Sequence, residues 1–600
     1  MIRKDKVRFS DGSVKTHVRV VKSYRPGPGM TPKQATLKSF GYLEDQTDRG
    51  AFLGEVEAFD EAQRQQARQK QIVFSVPADR RNADAFNRKQ GYGYRYLESI
   101  YEALGIRAFL DCVTFKGEYR LADVFEFLTF KRLLTPSSKR ETMQEIRQFY
   151  NKNYDFSLAD AYRAMDKFGE VSIELQKHLN ERIKALIGRD QSYAFYDVTN
   201  YYFETDFAGK KGDLQQKGVS KEHQLSPIVQ LGLFMDSNQL PIAMSLFPGN
   251  TSDSVTIQPV MKEIKANYGL GRLVVVADKG LNSQSNIDYI VGEGDGYVVS
   301  QVLRGPKGSR YREMVLDPEG YVGNNEYKYK LFEEEYESKT TAKKKIVRKR
   351  KVLIYWSQEE SDYAKKKRGE KIERAEKQLR NNAYGISHRA DEYVTTQNII
   401  KATGEVSDQE LQKLDYEKIQ EEERLDGYFC IITSELGYTA QKIREVYHGL
   451  WRIEESFRIT KSDLQTRPIF VRTQEHIKAH FVICYTALLM ARLMQYHMGE
   501  QAISVDRIKE ALNACMCVSP DGNAVLLDEV GGKLAFKEIT TKKGEVIETL
   551  AYSDGIDQIA EDYRAIQDAF GVSFDYAAST RESFNKYLKS IKFKPKKSNK

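Results

Sequence analysis

The sequence predicts an α/β protein built on a mixed sheet, and three features predict it. The run Leu273 to Ala277 is apolar without interruption, as suits a strand covered on both faces. Around it, from 191 to 305, strand-like and helix-like segments alternate in the order β-β-β-α-β-α-β. Helical periodicity dominates the preceding stretch, and a long polar stretch with some β-patterning follows.

Taken in order, six pieces are expected. Residues 1–75 hold alternating segments, KTHVRVVKSY and QATLKSFGYL, on either side of the turn-rich RPGPGMTP, and predict a β-rich unit followed by the charged helix EAQRQQARQK. Residues 76–190 predict a helical module through YRYLESIYEALGI, LADVFEFLTFKRLL and VSIELQKHLNERIKALI. Such a module either reads DNA ends by inserting a helix in a groove or simply packs; the pattern suits both. Residues 191–305 supply the alternating strands and helices, an order that fits an RNase H-like core with a five-stranded mixed sheet. In that arrangement Asp197 lies on the first strand and Asp278 at the end of the fourth, side by side. Residues 306–425 turn polar, with YVGNNEYKYKLF, KKKIVRKRKVLIYW and the charged helix KKKRGEKIERAEKQLR, and predict a β-rich insertion subdomain, since no simple loop spans such a length compactly. Residues 426–500 return the chain to the core, and 501–600 form a C-terminal region with a basic tail.

Three acids stand out against this frame. Asp278 closes the RLVVVAD strand and Asp197 sits within SYAFYDVTNYYFE; neither carboxylate is cheap to bury alone. The third lies in YHGLWRIEESFRITK, Tyr447 to Lys461, which predicts one helix. Val446, Leu450, Ile453 and Phe457 form its apolar stripe, and the neighbouring stripe carries Tyr447, Trp451, Glu454, Arg458 and Lys461. A carboxylate among cations and aromatics suits a metal held beside a nucleic-acid backbone, although an ordinary amphipathic surface helix has the same pattern. Each aspartate alone reads equally well as a strand-end cap.

Composition narrows the classes. Lys plus Arg exceed Asp plus Glu by 93 − 85 = 8, too modest an excess to imply nucleic acid alone. The excess is concentrated at 343–351 and over the last fifteen residues, each holding seven cations. Five scattered cysteines suggest reduced thiols and a cytoplasmic location. No secretory signal is expected, and Phe481 to Ala491 predicts a core helix rather than a membrane span. The pair His476 and His480 lacks the glutamate of a zinc-protease motif, which Ile477 replaces, and no phosphate-binding glycine loop appears.

With YDVTNYYFE, VVADKG and Y-x6-E-x6-K around its three acids, the chain resembles the DDE transposases of bacterial insertion elements, in the IS-four-like group with a Tyr-Glu-Lys signature helix and a β-rich insertion. LLTPSSKRET, LPIAMSLFPGNTSDSVTI, LDGYFCIITSE and RPIFVRTQEHIKAHFVICYTALL carry the likeness over most of the chain. Where the signature has an arginine this chain has Leu450, leaving Arg452 or Arg458 to supply that contact. The resemblance implies Asp197, Asp278 and Glu454 as catalytic and metal-holding residues for two Mg²⁺ ions, with Mn²⁺ as a substitute. It also implies DNA contacts through Tyr447, Trp451, Arg452, Arg458 and Lys461, element ends and target DNA as partners, a homodimer in the synaptic complex, and cut-and-paste strand transfer. Two other classes stay open: a catalytically silent DNA-binding regulator, and an RNase H-like nuclease without strand transfer.

Overall fold

The computed structural model describes residues 2–9, 11–24, 33–68, 88–190, 192–221, 225–304, 309–340, 344–380, 393–400, 406–519, 522–528, 530, 534–540, 546–552, 557–574 and 576–595. Two compact units divide the chain: residues 1–89 with 517–528 and 574–588, and residues 90–516 with 529–573 and 589–600. RPGPGMTP, the expected boundary near 75 and the last five residues of the basic tail lie outside the described residues.

The first unit begins with an antiparallel meander of β1 (Ile2–Arg8), β2 (Val14–Tyr24) and β3 (Lys33–Tyr42), followed by helix α1 (Arg49–Arg68). Alternate residues of β2, Val18 and Val20, meet Phe52 and Val56 of α1, one helical turn apart.

The second unit opens with β4 (Gln90–Gly91) and six helices: α2 (Tyr94–Ala103), α3 (Ile106–Asp111), α4 (Leu121–Leu134), α5 (Lys139–Gln144), α6 (Leu158–Glu170) and α7 (Ser172–Ile187). Helix α4 is buried along almost its whole length, polar residues included. Glu126 is met by Arg107, Lys152 and the Tyr154 hydroxyl, and Lys131 by Glu145 and Gln148. A helix enclosed this way offers no face to a DNA groove, so packing accounts for its pattern.

The core strands follow as β5 (Ala194–Tyr202), β6 (Ile228–Asp236), β7 (Pro241–Pro248), helix α8 (Ile257–Tyr268), β8 (Val274–Ala277), helix α9 (Gln284–Gly292) and β9 (Gly296–Ser300). The expected element order is present. The five-stranded expectation is corrected, because the sheet has nine strands. After α10 (Ser309–Leu316) come β10 (Val322–Gly323) and the long hairpin of β11 (Tyr327–Lys339) and β12 (Lys345–Ser357). These join the core sheet through β15 (Tyr428–Thr433), giving the order β10-β11-β12-β15-β9-β8-β5-β6-β7. Among the described strand pairs of this sheet, β5 with β8 and β8 with β9 are parallel and the others antiparallel. The hairpin extends the sheet because Tyr336, Val352 and Ile354 share one core with Cys430, Ile432 and the central strands. Its basic run is not all surface, since Arg350 is buried against Glu334 and the Tyr311 hydroxyl. The rest of the insertion, α11 (Gln358–Arg380), the hairpin of β13 (Val394–Ile400) and β14 (Val406–Leu414), and α12 (Tyr416–Glu423), includes a small core of its own around Ala375 and Leu414.

Helices α13 (Ala440–His448), α14 (Trp451–Arg458), α15 (Gln474–Met498) and α16 (Val505–Asn513) complete the region around the site. Among the described residues one helical segment, Gln474–Gln501, is long and apolar enough to cross a membrane, yet 94% of its apolar window is buried inside the protein. It is a core helix, as the sequence suggests.

A buried ion pair locks the entry to the sheet. Arg189, just ahead of β5, donates to Asp236 at 2.7 Å, and Asp236 also accepts the backbone N–H groups of Asn238 and Leu240. Arg189→Met leaves that carboxylate buried and unpaired, and urea unfolding should show a loss of about 3–5 kcal/mol. The double variant Arg189→Met with Asp236→Leu should recover most of it.

Candidate active site

The site begins as a matter of strand register. Parallel pairing sets Phe195 beside Val276 and Tyr196 beside Ala277, while Ala277 pairs with Val299. One position further, the same register aligns Asp197, Asp278 and Ser300 in a row across three strands. Alternation then fixes the side of the sheet. Ala194, Tyr196, Val198, Val275, Ala277 and Val299 enter the core shared with α8 and α9, so Asp197 and Asp278 project from the opposite face. Two half-buried carboxylates therefore stand on neighbouring strands, whose backbones lie about 4.8 Å apart.

Their electrostatics follow from that crowding. Burial pushes the Asp197 carboxyl up to about 6, opposed by the charge of Lys221 and by a backbone hydrogen bond, and raised further by Asp278 and Asp253. Lys221 itself reaches Asp253 at 3.0 Å and the Val198 carbonyl at 2.5 Å. Ser300 donates to Asp278 Oδ1 at 3.1 Å, and the Tyr447 hydroxyl donates to the same oxygen at 3.2 Å.

The segment carrying Glu454 covers this face. Its apolar stripe is buried as expected: Val446, Leu450, Ile453 and Phe457 are all under 9% exposed. It is not one helix, however. The expected continuous helix from Tyr447 to Lys461 is corrected to α13, a tightened turn through Gly449 and Leu450, α14, and a π-helical turn over Ile459–Asp463. The turn packs closely on β5: a Cβ on Gly449 would lie 2.5 Å from Phe195 Cζ, so a larger residue would have to push that ring aside from the strand bearing Asp197. Of the adjacent glutamates, Glu455 is tied inward to Arg492 at 2.9 Å, which leaves Glu454 exposed to solvent. Partial burial and then the charge of Asp278 raise the Glu454 carboxyl.

The remaining candidates occupy different surroundings. Tyr447 is half-buried and committed to Asp278, so it positions that acid rather than pointing outward; burial and the Asp278 charge push its hydroxyl well above the usual phenol range. Lys461 stacks over the Tyr201 ring at 5.6 Å. Burial and the neighbouring Lys221 lower its ammonium to about 8, against the pull of Asp197. Trp451 is 46% exposed. Arg458 reaches Asp463 at 3.4 Å and remains exposed. Arg452 turns elsewhere, donating to the Ser237 carbonyl at 2.9 Å and lining an open groove of about 880 Å³ with Arg444, His448, Tyr327 and Tyr329. Ser300, Lys221 and Gly449 are the parts of the site that sequence reasoning missed. Ser300 could have been found as the residue ending its strand beside the one that Asp278 ends; for Lys221, in a Gly/Lys-rich loop, the sequence carries no signal.

Hard oxygen donors that repel one another suit a divalent cation. Asp197 and Asp278 fit that requirement as a pair, with Glu454 electrostatically coupled to Asp278. Among the described residues, no three His, Cys, Asp or Glu side chains are closed around one metal position, so the site is a pair of acids with a third alongside.

Two tests address this geometry. Gly449→Ala should cost about 1–3 kcal/mol in urea unfolding, and adding Phe195→Leu should relieve it. The raised Asp197 carboxyl means that between about pH 4 and 6 the folded protein holds a proton the unfolded chain has released, so its contribution to stability falls as pH rises through that window. In metal-free buffer Asp197→Asn should therefore stabilise the protein by about 1–3 kcal/mol at pH 8 and change little below pH 4, with thermal melts as the readout.

Comparison with known proteins bears on this region directly. Residues 204–490 match the family model described as the transposase DDE domain, a span that contains Asp278 and Glu454 and begins just after Asp197. No curated protein matches the chain. Among solved structures, a piggyBac transposase synaptic complex with hairpin DNA aligns at 8% identity and a TM-score of 0.31 over 70% of this chain and 78% of that one, too distant a likeness to carry an inference. By that match, residues 204–490 of this chain carry a transposase DDE domain.

Proposed function

We propose that this protein cuts DNA at the ends of its own insertion element and joins those ends to target DNA, by cut-and-paste. The observation that carries the proposal is the row of Asp197 and Asp278 across adjacent parallel strands, with the Glu454 helix held over it by Gly449. The strand order β7-β6-β5-β8-β9 supports an RNase H-like core, and the transposase DDE domain match supports the reaction class.

Asp197, Asp278 and Glu454 are the residues that would hold Mg²⁺, or Mn²⁺ in its place. Two such ions, when bound, supply activation of a water or 3′-hydroxyl and stabilisation of the departing 3′-oxygen. The chain's own residues do the rest. Ser300 and Tyr447 orient Asp278 through hydrogen bonds to one oxygen, leaving the other available as a metal ligand. Lys461 and Lys221 place positive charge beside Asp197, where a scissile phosphate would lie. Exposed Arg458 and Trp451 on the outer face of α14 suit a phosphate contact and a stacked base. Two ends must be paired, so a homodimer on DNA is the working assembly. Five free cysteines suit a reducing cytoplasm.

One observation favours a second reading, a DNA-binding regulator that no longer cuts: among the described residues the acids are not closed into a three-ligand cluster. Incubating the purified protein and Mg²⁺ or Mn²⁺ with DNA from the flanks of its gene separates the two. Cleavage with joined products is expected, and Asp197→Asn, Asp278→Asn or Glu454→Gln should each reduce it to background while DNA binding persists. Full activity in any of the three variants would remove that acid from the reaction. Cleavage without joined products would indicate a nuclease.

A further inference from the structure

Beyond the C-terminal end of β5 lies a cavity of about 550 Å³ that plays no part in the chemistry above. Four cations line it, Arg132 from α4, Lys139 and Arg140 from α5 and Arg467 from the segment before α15, together with His480 on α15 and one acid, Glu141. Glu141 is exposed, whereas Lys139 is 7% and Arg132 6% exposed. Arg132 spends its terminal nitrogens on the carbonyls of Leu464, Gln465 and Ser137, and its Nε is buried without a hydrogen-bond partner. Among the described residues no carboxylate pairs with Lys139; its charged neighbour is Arg132, a like charge. His480 is bonded to the Thr466 carbonyl, and burial with Lys139 and Arg132 nearby drives its imidazole well below the usual range, so it adds no competing charge.

A buried ammonium facing a guanidinium is costly unless an anion completes it. Burial, and then the charge of Arg132, lower the Lys139 ammonium to about 7. The cavity connects to the site through the backbone: Ile469 donates to the Tyr202 carbonyl at 3.0 Å, and the Arg467 guanidinium lies over the Tyr202 ring at 5.7 Å. Tyr202 is five strand residues beyond Asp197, about 17 Å at 3.4 Å per residue, or about five nucleotides along a DNA strand.

We propose that this cavity is a phosphate-binding subsite, built on Lys139, Arg132 and Arg140, that holds a backbone phosphate of the DNA strand away from the point of cleavage. This rests on the reading of the protein as a DNA-processing enzyme, but not on its cutting. The phosphate supplies the missing counter-charge. A free phosphate anion has the same chemistry, so the test separates the two sources.

The test is fluorescence anisotropy with a labelled DNA duplex of arbitrary sequence, in EDTA, over a range of salt concentrations. Lys139→Gln, and separately Arg140→Gln on the exposed rim, should each flatten the slope of log affinity against log salt by about one. Lys139→Met provides a second variant at the buried position, and its thermal melt should lie at or above that of the wild type because an uncompensated charge is removed. Unchanged slopes in folded variants would overturn the proposal. Should inorganic phosphate raise the wild-type melting temperature but not that of Lys139→Gln while the DNA slopes coincide, the cavity takes a free anion and the DNA assignment is overturned. Wild-type protein that fails to bind the duplex overturns it as well. A wild type that binds with the steeper slope yet never cuts would sink the catalytic reading and leave this one standing.

Discussion

Everything around the site depends on the parallel pairing of β5 with β8. That register sets two carboxylates on adjacent strands and on one face of the sheet. Burial raises the Asp197 carboxyl, and the like charge of Asp278 adds to that cost. The protein offsets part of the penalty with Lys221 and Lys461 near Asp197 and with hydroxyl donors on Asp278. The residual negative field is what a divalent cation would neutralise.

The second constraint is steric. Glu454 reaches this face because Gly449 lets its helix close on Phe195, and because Glu455 and Ser456 are anchored by Arg492 of the core helix α15. The anchor and the close approach act together. One draws the helix inward, the other removes the side chain that would hold it off, and Glu454 remains as the outward acid. The π-helical turn after α14 then carries Lys461 back toward β5, over Tyr201.

Charge is distributed in two ways across the second unit. Some buried cations are matched by an acid, as Arg350 is by Glu334 and Arg189 by Asp236. Lys139 with Arg132 is different: two cations share one cavity without an acid between them. Such an arrangement is stabilised where an anion completes it.

The sequence by itself determined the order of core elements and the acids within them. Apolar runs and alternation are local, so RLVVVAD and SYAFYDVTNYYFE announce strands wherever the chain puts them. The stripe Val446, Leu450, Ile453 and Phe457 is equally local, and all four residues are buried. The tertiary structure alone decided the rest. That the insertion hairpin extends the sheet to nine strands depends on its sharing a core with β15 and β9, an interaction between residues distant in the chain. Ser300 meets Asp278 through register, Gly449 matters through its contact with Phe195, and Arg452 turns away because Ser237 offers it a carbonyl. Periodicity reports which face of an element is apolar; it carries no information about which neighbour that face, or the polar group beside it, will meet.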